Sequence, residues 1–207
     1  SDVCSSDLTL ATSAIKVSGT SFTATVTGLK AKTTYQYRVS IDGTAGEEKS
    51  FTTAEEIPLT NASFDNWSQN DKNNKLWQPW GDGESSFWDT GNQGATTVGE
   101  SNSTPVTDTS NGSGKAASLE SKYIVIKFAA GNIFTGTYKK TDGTNGVLDF
   151  GRPFTSFPSK LRVHYKYNCA TIDKVGDDAM ASLKGRPDSC QIYIALTDWD
   201  APLEIRT

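Results

Sequence analysis

Short stretches of the chain alternate apolar and polar residues, the period-two pattern of strands with one buried face. Phe22, Ala24 and Val26 alternate with Ser21, Thr23, Thr25 and Thr27, and Gly28 ends that run. Tyr35, Tyr37, Val39 and Ile41 alternate with Gln36, Arg38 and Ser40, and Asp42-Gly43 signals a tight turn. A short strand follows at 49–53. Beyond residue 114, Ala117 and Leu119 lead into a strand over 123–128, with Ile124, Ile126 and Phe128 on one face. Ala129-Ala130-Gly131-Asn132 breaks it. Phe134, Gly136 and Tyr138 open the next strand, 142–146 is a hairpin loop, and 147–150 pairs back across it. The clearest alternation is Leu161, Val163, Tyr165 and Tyr167 against Arg162, His164 and Lys166. Ile192, Ile194 and Leu196 repeat it, and Asp198-Trp199-Asp200 closes that strand. Between 170 and 187 the pattern lapses into a surface loop or a short helical turn near 178–183. No long helix and no short-period repeat intervenes, so an antiparallel β-sandwich or jelly roll is the economical architecture.

One stretch departs from this pattern. Phe64 to Asn92 carries Trp67, Trp77, Trp80 and Trp88, four of the chain's five tryptophans, set among Asn, Asp, Gln and Gly. A buried strand would surround its rings with Val, Ile and Leu. Flat apolar rings beside hydrogen-bonding groups suit a ligand with one apolar face and a polar rim, as a sugar has. The competing reading is that these rings cap a small sandwich core. Trp67, following Phe64, and Trp199, at a strand end, read as packing. Residues 93–114, rich in Thr, Ser, Gly and Asn, read as long loops joining short strands.

Composition narrows the classes. The 207 residues suffice for one large or two modest domains. A net charge of −4 argues against nucleic acid and against an anionic membrane surface. No apolar run is long enough to span a membrane as a helix. Three cysteines, Cys4, Cys169 and Cys190, exclude a dense disulfide scaffold. Cys169 and Cys190 pair only if the segment between them folds back. Spacing alone leaves open both that bridge, which would imply export, and two free thiols. The first eight residues, SDVCSSDL, read as a translated sequencing adapter, so Cys4 is not expected to be native. The true start, and any signal peptide, would then be missing.

The chain divides into 1–8, a partial module at 9–56, and a domain at 57–207 that opens after the Ala54–Pro58 linker. The run Leu29 to Val39, with Leu29 before a strand and Tyr35 at a tyrosine-corner position, resembles the end of a fibronectin type III module, and Phe51-Thr52-Thr53 resembles its closing strand. About half of such a ~100-residue sandwich is present. The resemblance implies a spacer. In the second domain the telling segments are Ser63 to Trp67, Phe87-Trp88-Asp89-Thr90-Gly91-Asn92, Lys127 to Gly136, Phe150-Gly151-Arg152-Pro153-Phe154, and Cys190 to Trp199. Together they resemble the PCMD domain, the putative carbohydrate metabolism domain. The resemblance implies a jelly-roll β-sandwich, truncated here at its C-terminus. It also implies a secreted or surface-anchored protein of Bacteroidota, in the manner of an outer-membrane lipoprotein. It brings no catalytic residues to carry over.

The candidate chemistry follows. For glycan binding, Trp77, Trp80 and Trp88 are the platform, with Asp89 and Asn92 as hydroxyl partners, and the partner is a polysaccharide. A glycoside hydrolase needs two carboxylates ~5–5.5 or ~6.5–9.5 Å apart. Asp65, Asp82, Glu84, Asp89, Glu100, Asp198 and Asp200 are available, with Asp89 the best placed and its second carboxylate unidentified. Asp89 reads equally as an acceptor for the turn amides after it. A surface scaffold or adhesion module binding protein is the third reading. The lone histidine, His164, builds neither a zinc site nor a triad. No cofactor is expected; structural calcium would use Asp198, Asp200 and carbonyls.

Overall fold

The computed structural model describes residues 15–41, 43–70, 74–125, 127–154, 156, 158 and 160–207. The adapter-like segment with Cys4, Asp42 of the expected turn, and Ile126 lie outside the described residues. The chain forms two compact units, the first ending at Ile57 and the second beginning at Pro58.

In the first unit, β1 (Ile15–Ser18) pairs with β2 (Ser21–Ala24). Next, β3 (Thr34–Tyr37) leads into the short hairpin of β4 (Ser40–Ile41) and β5 (Thr44–Ala45) and then pairs with β6 (Lys49–Thr52). Tyr35 stands opposite Phe51, and their rings stack at 5.9 Å, the cross-strand contact that stabilises an antiparallel pair. The Tyr35 hydroxyl accepts a hydrogen bond from the Lys30 amide at 2.8 Å. A tyrosine corner makes this kind of contact, a phenol reaching back to the backbone just upstream.

The second unit is antiparallel throughout. β7 (Ser68–Asn70) pairs with β8 (Leu76–Gln78). β9 (Trp88–Asp89) runs into a single helical turn, α1 (Asn92–Ala95). β10 (Ser103–Val106) pairs with β11 (Ala116–Leu119), and β12 (Lys122–Ile124) with β13 (Lys127–Ala129). The main sheet has four strands in the order β16 (Leu203–Arg206), β15 (Asn145–Phe150), β14 (Phe134–Asp142), β9. The fold is all-β, of the β-sandwich class. Trp67, Ala95, Tyr138, Val147 and Leu148 form the buried apolar set. Among the described residues the buried polar set, Ser68, Thr90, Asn92, Thr96, Ser101, Asn102 and Ser103, is the larger, so hydrogen bonding within the interior decides much of this fold.

Three expectations change. Residues 123–128 are not one strand. Val125 takes a left-handed backbone (φ 53°), the chain reverses, and Ile124 faces Lys127 across a tight hairpin. Residues 93–114 hold, besides loops and the short strand β10, most of the helical turn α1, which the pattern does not announce. The alternating segments 161–167 and 192–196 carry no ladder: Tyr165 is 69% exposed and Ile194 48%. A strand needs backbone partners as well as an apolar face. Here the first bond between the arms forms only at Asp188 N–H to Ala170 O, 2.8 Å. Leu161, Ile194 and Leu196 instead line a shallow cleft with Pro158 and Lys160. The helical turn near 178–183 is present as a 3₁₀ helix, Asp178–Leu183, whose N-cap Asp177 accepts from the Ala179 amide at 2.9 Å.

Gly136 sits inside β14 with φ 151°, and a Cβ there would stand 2.1 Å from the Asp149 carbonyl oxygen of β15. The Gly136→Ala variant should therefore destabilise the second unit by at least about 2 kcal/mol. The check is the urea midpoint of unfolding followed by tryptophan fluorescence.

Candidate functional site

The tryptophan-rich stretch is held from behind by one side chain. Asn92 lies at the start of α1, 1% exposed. Its Nδ2 donates to the carbonyls of Trp77 (2.8 Å) and Ser103 (2.6 Å), and its Oδ1 accepts from the amides of Asn102 (3.1 Å) and Ser103 (3.0 Å). Both donors and both acceptor positions of the amide are thus used. Sequence reasoning made Asn92 a sugar-hydroxyl partner; its burial and full hydrogen bonding make it a bracket joining β8, α1 and β10. Ser101 extends the bracket, accepting from the Trp77 amide (2.9 Å) and donating to Lys75 O (2.7 Å). Ser103, with no exposed surface, donates from Oγ to Asn132 O at 2.8 Å. Asn132 in turn accepts from the Gly91 amide at 2.8 Å. The segments 87–92 and 127–136 therefore interlock through this polar network.

Trp77 and Trp80 flank the fully buried Pro79, and both are half-buried. Pro79 O accepts from Asn61 Nδ2 at 3.0 Å, which ties this edge to the start of the unit. The turn after Trp80 is closed by Glu84, which accepts from the Gly81 amide (2.9 Å) and from Asn66 Nδ2 (2.7 Å). Among the described residues, no partner takes the indole N–H of Trp77 or Trp80. Trp67 and Trp88 differ. Trp67 is 8% exposed and donates to Phe64 O at 2.7 Å. Trp88 donates to Thr60 O at 2.7 Å and meets Phe64 and Phe87 edge-on at 5.1 and 5.5 Å. These two rings are committed to packing, Trp67 as the sequence predicts and Trp88 more than it predicts.

Asp89 is half-buried on β9. Its Oδ1 accepts from the Thr90 amide and its Oδ2 from the Tyr138 amide, each at 2.7 Å. Burial pushes its carboxyl above the ordinary aspartate value, against those two amides and the nearby Arg152 guanidinium, which pull it down. Arg152, which sequence reasoning passed over, donates to Gly136 O (2.5 Å), Thr137 Oγ1 (2.8 Å) and Phe87 O (3.3 Å), so it clamps β14 to the residue before β9. Its sequence signal was a charge inside a Gly-Arg-Pro turn, indistinguishable there from a solvated one.

The remaining candidates lie apart from this network. Asp65 accepts from the Lys115 amide at 2.7 Å, which holds its carboxyl below the usual range. Trp199 is exposed, neither core nor rim. Asp198 and Asp200 are exposed, and among the described residues no three His, Cys, Asp or Glu side chains are grouped to hold a metal ion. Cys169 and Cys190 are exposed thiols, unbridged in this structure.

The Asn92→Ala variant leaves two carbonyls and two amides without partners. It should cost at least about 3 kcal/mol, read as a lowered urea midpoint. Asp89 predicts a pH signature. Its folded-state pKa lies above the unfolded value, so its contribution is complete below the ordinary aspartate value and is lost as pH rises through the raised one. The stability of wild type relative to Asp89→Asn should therefore fall from acid toward neutral pH and then level off, in paired denaturation curves across that range.

The sequence model of one family, described as Putative carbohydrate metabolism domain (PCMD), matches residues 63–205. No curated protein and no solved structure matches the chain. Among the described residues, no helix is long and apolar enough to cross a membrane. The matched span takes in β7 through β15, most of β16 and every residue of the Asn92 bracket, and on that match the chain belongs to the putative carbohydrate metabolism domain family.

Proposed function

We propose that the second unit is a noncatalytic glycan-binding module of a secreted or cell-surface protein, with the first unit a fibronectin-like spacer. The observation that carries this reading is the pair Trp77 and Trp80. Both residues keep some exposed surface, both indole N–H groups lack a partner among the described residues, and the backbone beneath them is tied down by Asn92, Ser101 and Asn61. A ring held this way loses little freedom when a sugar stacks on it, and its N–H remains to bond a hydroxyl. The family's description points to the same ligand class. Trp88 and Asn92 move from ligand partners to supports, and Asp89 follows them, because both its oxygens hold backbone amides. The spacer reading of the first unit rests on the Tyr35–Lys30 contact.

A second reading, a glycoside hydrolase, has one observation in its favour. The raised pKa of Asp89 is what a general acid uses. Against it stands the commitment of both Asp89 oxygens to backbone amides.

Affinity electrophoresis against a panel of soluble polysaccharides tests the proposal. One polysaccharide should retard the protein, and Trp77→Ala and Trp80→Ala should each weaken retention at least about tenfold while leaving the unfolding midpoint near wild type. Trp88→Ala should instead lower the midpoint. Turnover of a polysaccharide that disappears in Asp89→Asn, with binding kept, would favour the hydrolase.

A further inference from the structure

Building on the glycan-binding reading of Trp77 and Trp80, we propose that the turn after Trp80 sets the specificity of that surface: the Asp82 carboxylate accepts hydroxyls of an uncharged sugar, and the acidic turn disfavours uronates and sulfated glycans. Asn92 and Asp89, the acceptors first expected from the sequence, are committed to backbone groups. A sugar stacked on an indole carries its hydroxyls at the edge of the ring, so an acceptor has to come from the chain beside it.

The turn is anchored on both sides. The Glu84 amide donates to Gly81 O at 3.0 Å, and Gly83 takes φ 78°, as the third residue of a type II turn does. The Glu84 carboxylate folds back over Gly81, accepting its amide at 2.9 Å on one oxygen and Asn66 Nδ2 at 2.7 Å on the other. A Cβ at Gly81 would stand 3.0 Å from Glu84 Cδ, so glycine gives the carboxylate its room. Asn66 is itself tied to Asn61, its amide donating to Oδ1 at 3.0 Å and its carbonyl accepting from Nδ2 at 2.9 Å, and Asn61 also holds Pro79 O. Trp80 therefore sits between two fastened residues, Pro79 and Gly81.

Asp82 differs from its neighbours in holding nothing. It is exposed, and among the described residues no donor or cation meets its carboxylate. It lies two positions from Trp80, so their Cα atoms are at most about 7 Å apart, a gap that one sugar unit bridges. A carboxylate with both oxygens open accepts two hydroxyls at once, in charge-assisted bonds about twice as strong as neutral ones, and adjacent hydroxyls of a sugar ring offer that pair. The same groups set the sign of the surface. Asp82 and Glu84 follow Trp80 directly, and Glu100 adjoins Ser101, which bonds the Trp77 amide. Among the described residues from 58 to 100 the one basic side chain is Lys75, at the opposite end of β8 from Trp80. An anionic sugar on Trp80 would thus face carboxylates, a like-charge placement that lowers affinity.

The test measures retention of the full chain on beads coupled to neutral and anionic polysaccharides in matched pairs: galactan and polygalacturonate, hydroxyethylcellulose and carboxymethylcellulose, dextran and dextran sulfate. At least one neutral member should retain wild type, and its anionic counterpart should not. Asp82→Ala should weaken that retention at least about fivefold and leave the urea midpoint in place. Asp82→Lys should lower retention on the neutral member and raise it on the anionic one. Retention that is lost in Trp77→Ala and Trp80→Ala but unchanged in Asp82→Ala would overturn the role of Asp82 and leave the glycan reading standing. Tighter retention of wild type on the anionic member of a pair would overturn the ligand class in the same way. Retention on no bead, or retention that neither tryptophan substitution alters, would overturn the glycan reading and the role of Asp82 with it.

Discussion

The second unit depends on a carboxamide. Asn92 satisfies four backbone groups from two other segments, and no apolar side chain could replace it without leaving those groups buried and unpaired. Most small β-domains hold their sheets together with interdigitated aliphatic side chains. Leucine is sparse here, and the interior around α1 is built instead from Thr90, Asn92, Ser101, Asn102 and Ser103. A network of this kind is directional. It fixes which residue of β8 faces which residue of β10, where an apolar core would tolerate a slip.

That directionality shapes the surface above it. The strand that carries Trp77 is bonded to Asn92 through its carbonyl and to Ser101 through its amide, so the backbone under the ring has no freedom left. Trp67 and Trp88 spend their N–H groups on Phe64 and Thr60 carbonyls and knit the start of the unit to β9. Two of the four tryptophans thus build, while the indole N–H groups of Trp77 and Trp80 meet no partner among the described residues. Arg152 and Asp89 complete the frame from the main sheet, one donating to two carbonyls and two hydroxyls, the other accepting two amides. Their proximity lets each moderate the charge the other buries.

Alternation made the strands at 21–24, 34–37 and 49–52 and the 134–150 hairpin legible, because there each apolar face meets a paired neighbour. It misled at 123–128, where a left-handed Val125 turns the chain, a conformation that β-branched residues seldom adopt and that no pattern announces. It misled again at 161–167, where the apolar face exists but the backbone finds no ladder partner among the described residues. The site was legible as a region and not as a set of roles. Asn92 and Trp77 look alike in the sequence as members of one polar-aromatic run. Only the fold shows that the first is sealed and the second half-open. Asn132 and Arg152 were invisible for the same reason: a polar residue beside glycine reads as surface until its partners are known.

The central claim is that Trp77 and Trp80 are the rings left for a ligand while Trp67 and Trp88 are structural. The most direct measurement follows the indole N–H signals of nitrogen-15 tryptophan-labelled protein by NMR during titration with the retained polysaccharide, each signal assigned by single substitution. The account predicts that the Trp77 and Trp80 signals move with added ligand and that those of Trp67 and Trp88 stay in place. Movement confined to Trp67, Trp88 or Trp199, with Trp77 and Trp80 unchanged, would contradict it.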